Sequence, residues 1–129
     1  MRKKLLLIDA HDGFRGILKD YLNKQDLKLV IFEANSSAMG VIKATCVNPD
    51  IVIIDIGLSN KNALDSVREI SKAQPGCAVI VLTLFKVSVF KKQTAKIKVK
   101  AFIEKNEVYD KLLPLIRDCL VLKPKSPAL

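Results

Sequence analysis

The chain has 129 residues, half of them hydrophobic and 27% charged, and its formal net charge at pH 7 is +9. This length predicts one domain whose core is stable without disulfides or metal ions. Three cysteines without a C-x-x-C pair argue against a disulfide framework or a zinc site. No stretch has the length of a membrane span or a signal sequence, since the first apolar run ends at Asp9, so we expect a cytoplasmic protein without membrane contact.

Five short apolar runs predict five β-strands. The runs lack the alternation of a half-exposed strand and are rich in β-branched residues, which is typical of parallel strands covered on both faces. In chain order they are Lys4–Ile8, Lys28–Phe32, Ile51–Ile54, Ala78–Leu82 and Ala101–Ile103.

The segments between these runs predict helices. The first has an apolar face with helical spacing, made by Phe14, Ile17, Leu18, Tyr21 and Leu22. The second is predicted over residues 37–44, the third carries a stripe from Leu64 to Ile70, and the fourth spans residues 88–96. The last has an apolar stripe from Val108 to Cys119 with Asn106 as its N-cap, and Pro114 is expected to kink it or delay its start.

This alternation of strands and helices predicts a doubly wound α/β fold with a five-stranded parallel sheet. The flavodoxin-like strand order 2-1-3-4-5 is one of the common solutions for such a sheet. We expect residues 1–122 to form the domain and residues 123–129, rich in proline and lysine, to be a linker or disordered tail.

Four polar residues lie within two positions of the ends of predicted strands one, three, four and five. They are Asp9, Asp55, Thr83 and Lys105, separated by 46, 28 and 22 positions. Because ligands of open α/β sheets bind beyond the carboxyl ends of the strands, we expect these four side chains to converge on one pocket. Two carboxylates, a hydroxyl and an ammonium could hold Mg²⁺ and transfer a phosphoryl group, with a carboxylate as the nucleophile.

Four segments carry a resemblance to the receiver domains of two-component response regulators. They are residues 5–11 (LLLIDAH) followed by Phe14-Arg15, residues 49–55 (PDIVIID), residues 79–83 (VIVLT) and residues 101–105 (AFIEK). The resemblance covers about residues 3 to 121 and implies the flavodoxin-like order named above.

The resemblance also implies a role for each strand-end residue. Asp55 would accept the phosphoryl group, Thr83 and Lys105 would contact it, and Thr83 with Phe102 would form the conformational switch. Mg²⁺ would be held by Asp9, Asp55 and the backbone carbonyl of Gly57.

Four residues depart from the pattern of the family. Ala10 stands where a second acid is usual, which should weaken Mg²⁺ binding, since this hard ion depends on charged oxygen ligands. Leu84 stands where a small residue is usual and could narrow access to Asp55. Ser59 replaces a frequent proline, and Ala63 replaces a frequent glycine, so the backbone there could differ.

Two functions follow from these observations. In the first, a histidine kinase or phosphotransfer protein phosphorylates Asp55, and the face of helix four, strand five and helix five signals to an output domain or dimer partner. In the second, the chain is a pseudo-receiver that binds partners without phosphorylation. We expect no enzyme of independent activity, because no Ser/His/Asp or Cys/His arrangement is evident.

The segment from Lys86 to Lys105 is strongly basic, with seven lysines and one acid. A solvated helix face explains such a run, and docking to an acidic protein surface is the functional alternative. A nucleic-acid partner is not expected, because no aromatic residues are interleaved with the lysines in a known binding module.

Overall fold

A computed structural model describes residues 2–56, 61–84 and 97–121 of the chain, and within them five parallel strands form one sheet. The strands are β1 (Lys3–Ile8), β2 (Leu29–Ala34), β3 (Ile51–Asp55), β4 (Ala78–Thr83) and β5 (Ala101–Glu104). Their order is β2-β1-β3-β4-β5, which confirms the predicted flavodoxin-like fold.

Four α-helices lie in the described residues. They are α1 (Asp12–Asn23), α2 (Ser37–Val47), α3 (Lys61–Ala73) and α4 (Val108–Val121), and a 3₁₀ turn (Lys105–Glu107) leads into α4. The helix predicted over 88–96, the tail predicted over 123–129, and Gly57 lie outside the described residues. None of the described helices is both long and apolar enough to span a bilayer.

The sheet separates two hydrophobic layers. Leu6 and Ile8 of β1 face α2 and α3, whereas Leu5 and Leu7 face α1 and α4. None of these four residues exposes more than 1% of its surface to solvent. Burial on both faces explains why these strands read as continuous apolar runs, because neither face needs polar residues.

Two elements differ by two or more residues from their predicted bounds, since β2 ends two residues later and α2 ends three residues later. β2 begins at Leu29, because Lys28 has a φ of 55° that a strand does not accommodate, and it continues to Ala34. Helix α2 continues to Val47 and ends where Asn48 adopts the left-handed conformation at φ 58°. Asparagine tolerates this conformation better than most residues, so it terminates the helix as a glycine would.

The ends of the other helices also correct the sequence-based predictions. Asn106 lies inside the 3₁₀ turn, so its predicted N-cap role is wrong, and α4 begins six residues before Pro114 rather than being delayed by it. In α1 the N-cap is His11, whose Nδ1 accepts a hydrogen bond from the Phe14 amide at 3.0 Å. Ile17 is 60% exposed and does not belong to the buried face of α1.

The three cysteines are free thiols in the structure. Cys46 is exposed, while Cys77 and Cys119 are half-buried. Burial raises the pKa of Cys77 to about 12, so this thiol remains protonated and unreactive near neutral pH.

Gly40 lets α2 approach β1 closely, next to the end of the strand that carries Asp9. A methyl group at Gly40 would collide with the Ile8 side chain, whereas one at Gly16 of α1 would meet no atom within 4 Å. We expect Gly40→Ala to lower the free energy of unfolding by about 1–2 kcal/mol, because overpacking outweighs the better helix propensity of alanine. Gly16→Ala should raise it by about 1 kcal/mol. Urea unfolding measures both values, and shifts of the same sign would contradict the packing argument.

Candidate functional site

The register of β1 and β3 places two carboxylates side by side at the carboxyl edge of the sheet. Ile8 pairs with Ile54, so Asp9 and Asp55 occupy the next position of adjacent strands. The amide of Asp9 donates to the carbonyl of Ala34 at 3.0 Å, which extends the pairing of β1 with β2 and fixes the Asp9 backbone. Strand pairing alone therefore brings together two acids that are 46 positions apart.

Lys105 bridges these two carboxylates. Its Nζ lies 3.2 Å from Oδ2 of Asp55 and 3.3 Å from Oδ2 of Asp9. The exposed fractions of the three side chains are 12% for Lys105, 9% for Asp55 and 0% for Asp9. One ammonium thus compensates two largely desolvated carboxylates, and the cluster keeps one net negative charge.

The contact of Lys105 with Asp9 is an ion pair without a directed hydrogen bond. Oδ2 of Asp9 is buried and accepts no hydrogen bond from the part of the chain that the structure describes. A buried carboxylate oxygen is normally hydrogen-bonded, so this oxygen is suited to an additional cation or donor.

Phe14 of α1 forms the apolar wall of the Lys105 position. The Lys105 ammonium lies 4.2 Å from the centroid of the Phe14 ring, within the range of a cation–π interaction. Phe14 was predicted on the apolar face of α1 and belongs to the segments that carry the family resemblance, but a contact with Lys105 was not predicted. Phe14 is the third residue of α1, and the loop of residues 9–11 connects that helix to the end of β1.

The other predicted site residues lie at varying distances from this cluster. Thr83 is fully buried at the end of β4, one position beyond Leu82, which pairs with Asp55. Phe102 is half-buried and packs in the layer that contains α2 and α3. The structure therefore brings Asp9, Asp55 and Lys105 into contact and places Thr83 beside them at the same edge, while the switch role of Phe102 stays a prediction.

Arg15 anchors the loop that carries Asp9. Its Nη1 donates to the backbone carbonyl of Asp9 at 2.6 Å, and its Nε donates to Glu33 of β2 at 3.0 Å. The amide of His11 donates to Oδ1 of Asp9 at 2.8 Å. These contacts orient the Asp9 carboxylate so that Oδ2 faces Lys105. Sequence reasoning did not assign Arg15 this role, because it depends on a contact with the neighbouring strand.

Glu33 is the acidic centre of a second charge cluster. Lys19 donates to Oε2 at 2.8 Å and Arg15 to Oε1 at 3.0 Å. The hydrogen bond from Lys19 lowers the pKa of Glu33, partial burial opposes it, and the hydrogen bond from Arg15 lowers the pKa further.

A group with a lowered pKa in the folded state stabilises the fold above its unfolded pKa, and this contribution is lost as the pH falls through the folded value. For Glu33 the loss begins near the ordinary value of 4.5 and continues below it. We expect Glu33→Gln to lower the free energy of unfolding by less than about 1 kcal/mol at pH 7, because the group is partly solvated. Between about pH 5 and pH 3 the variant should lose less stability than the unaltered protein, because it lacks the carboxylate that becomes protonated. Thermal unfolding at a series of pH values measures this, and parallel curves for both proteins would contradict it.

The departures from the family pattern have different surroundings. Ala10 is exposed beside Asp9, and Leu84 is 54% exposed beyond β4. The backbone of Ala63 lies within α3, and Ser59 lies outside the described residues. No group of three or more potential metal-ligating side chains is present among residues 2–56, 61–84 and 97–121.

Comparison with known proteins gives consistent matches over most of the chain. The sequence profile described as "Response regulator receiver domain" matches residues 5–117. The chemotaxis protein CheY of Thermotoga maritima is 31% identical over 105 residues, which cover 81% of this chain and 87% of CheY. The response regulator protein VraR of Staphylococcus epidermidis is 29% identical over 85 residues, which cover 66% of this chain but 41% of VraR.

A solved structure shows the same fold. It is a response regulator protein from Burkholderia pseudomallei with a phosphorylated aspartic acid, a calcium ion and citrate. The TM-score is 0.76 at 20% identity, and the match covers 88% of this chain and 65% of the other. Since the family profile spans nearly the whole described sheet and its helices, the chain belongs to the response regulator receiver domain family.

Proposed function

We propose that this receiver domain accepts a phosphoryl group on Asp55. The observation that carries the proposal is the Lys105 ammonium, which lies within 3.3 Å of carboxylate oxygens on both Asp9 and Asp55. A cation held beside a carboxylate nucleophile can stabilise the charge that develops on the phosphoryl oxygens during transfer.

The reaction is a displacement at phosphorus. A carboxylate oxygen of Asp55 forms the new O–P bond, while the bond from phosphorus to the donor, a phosphohistidine nitrogen or an acyl phosphate oxygen, breaks and its electron pair leaves with the donor. Lys105 and the hydroxyl of Thr83 would then contact the phosphoryl oxygens. Receiver domains are signalling modules, and the proposed chemistry is a single transfer without independent turnover of a substrate.

The residues present fit a hydrated Mg²⁺ ion. Oδ2 of Asp9 is a buried carboxylate oxygen that accepts no hydrogen bond from residues 2–56, 61–84 or 97–121, and Asp55 supplies a second carboxylate. Mg²⁺ commonly binds one or two carboxylates and keeps several waters, so these two acids are a sufficient set of protein ligands, with Ala10 lowering the affinity. When bound, Mg²⁺ would neutralise charge on the transferring phosphoryl group. The carbonyl of Gly57 is a further proposed ligand.

The relatives support the wider context of this function. The phosphorylated aspartic acid of the Burkholderia protein supports phosphorylation of an acid on this fold. We infer a histidine kinase or phosphotransfer protein as the donor. This chain spans less than half the length of VraR, so an output domain is a proposal as well, with signalling through the predicted helix over 88–96, β5 and α4.

Acetyl phosphate tests the proposal directly. The chain with acetyl phosphate and millimolar Mg²⁺ should gain one phosphoryl group by intact mass spectrometry, and Asp55→Asn should abolish the gain. Asp20→Asn is the matched control, because Asp20 is exposed on α1 and should not affect labelling. Equal labelling of the wild-type protein and Asp55→Asn would refute Asp55 as the acceptor.

Ala10 favours one alternative, a pseudo-receiver that binds partners without phosphorylation. With alanine at this position, the described part of the site offers only the carboxylates of Asp9 and Asp55 to a metal. Absence of a mass gain, together with unchanged amide shifts near Asp9 on titration with Mg²⁺, would support this alternative over the phosphoacceptor.

A further inference from the structure

A basic groove lies at the amino edge of the sheet, at the opposite end of the strands from Asp55. Two adjoining cavities of about 260 and 280 Å³ form it, and they share Ser71 and Lys98. We call it the amino-edge groove and define it by Arg68, Ser71, Lys72, Ile97, Lys98 and Lys100. Helix α3 forms one wall, and residues 97–100, which directly precede β5, form the other.

The charge of the groove has one sign. The described residues of its lining include four basic side chains and no acid. Arg68 forms an ion pair with Asp65 at 2.7 Å, whereas Lys72, Lys98 and Lys100 form no ion pair with any residue that the structure describes. Three exposed ammonium groups around a concave surface attract an anionic partner, because their repulsion is relieved when it binds.

The backbone that carries the lysines is fixed on both sides. Ser71 of α3 donates its hydroxyl hydrogen to the carbonyl of Lys98 at 3.1 Å, and the amide of Lys100 donates to the carbonyl of Val79 at 2.7 Å. Ile97 is 7% exposed and packs into the core. The lysines therefore project from an ordered segment, so a partner that binds there need not order the backbone.

We propose that the amino-edge groove binds an acidic polypeptide segment. A chain of carboxylates with intervening apolar side chains fits the observed lining, since the lysines supply the cations while the methylene stems of the basic residues supply apolar contact. Among the described residues no aromatic side chain lines either cavity, so they offer no stacking surface of the kind with which proteins hold single-stranded nucleic acid.

The position of the groove makes this binding independent of phosphorylation. Lys100 immediately precedes β5, and Lys105 follows its last residue, so the strand separates the groove from the acidic site by its full length. We expect Asp55→Asn to bind the acidic segment as tightly as the unaltered chain. Failure of this proposal is thereby distinguishable from failure of phosphorylation at Asp55.

The experiment uses a fluorescein-labelled peptide of alternating glutamate and leucine and a single-stranded DNA of equal charge. Fluorescence anisotropy gives both affinities at low and high NaCl concentration. The test variant is Lys98→Glu/Lys100→Glu. The matched control is Lys3→Glu/Lys24→Glu, which changes the net charge equally at two exposed lysines outside the groove.

We expect the groove variant to weaken peptide binding about tenfold or more and the control variant less than about twofold, since charge reversals act mainly on nearby partners. Amide NMR shifts should change at Ser71 and residues 98–100. Equal losses in both variants, shifts confined to other surfaces, or tighter binding of the DNA than of the peptide would each overturn the proposal.

Discussion

Replacement of Lys105 by methionine is expected to lower the free energy of unfolding by about 3 kcal/mol at pH 7, because it leaves two desolvated carboxylates without their shared cation. Asp9 is fully buried and Asp55 is 9% exposed, so water cannot replace the ammonium fully. Methionine keeps an apolar side chain against the Phe14 ring, so the substitution isolates the charge from the packing.

A matched control and a second substitution test this account. Lys111 forms an ion pair with Glu107 at 2.9 Å but is 56% exposed, so Lys111→Met should cost less than about 0.5 kcal/mol. Adding Asp9→Asn to Lys105→Met should recover part of the loss, because one of the repelling charges is then gone. Urea unfolding of the four proteins measures these values. A similar loss for both lysine variants would show that burial of the Lys105 cluster has no special energetic effect.

Replacement of Ala10 by aspartate is expected to tighten Mg²⁺ binding about tenfold, because a third carboxylate beside Asp9 increases the negative potential at the site. Ala10 is exposed, so the new side chain needs no repacking of the core. Without Mg²⁺ the same charge should slightly destabilise the fold through repulsion from Asp9 and Asp55.

Titration of Mg²⁺ followed by amide NMR shifts or calorimetry measures the affinity. Ala10→Asn is the control, since it adds an oxygen of similar size without the charge and should change the affinity little. If asparagine tightens binding as much as aspartate, the missing charge at position 10 does not limit Mg²⁺ binding.

The sequence predicts the sheet more accurately than the helix ends. Continuous apolar runs such as Ile51–Ile54 arise from burial on both faces, a property that is visible along the chain. Helix ends depend on individual backbone angles and competing turns. Asn48 ends α2 at φ 58°, and Asn106 joins a 3₁₀ turn, and neither event follows from periodicity.

In the candidate site, the residues at strand ends were predictable, whereas the tertiary contacts that orient them were not. Asp9, Asp55 and Lys105 were predictable because each follows a strand, and parallel strands end at one edge. The contacts that hold Asp9 in place were not predictable. Arg15 of α1 donates a hydrogen bond to the Asp9 carbonyl and another to Glu33 of β2, and both depend on how the helix packs against the sheet. Pairing across 18 positions leaves no periodic signal in one sequence.

The register between β1 and β3 determines where the chain tolerates changes in length. Inserting one residue within β1 would turn the following side chain to the opposite face of the sheet and carry the Asp9 carboxylate away from Asp55. An insertion in the exposed turn at residues 24–26, between α1 and β2, would leave the Ile8–Ile54 pairing unchanged. Natural variation in length among related chains should therefore concentrate in such turns, while the number of residues in these two strands stays constant.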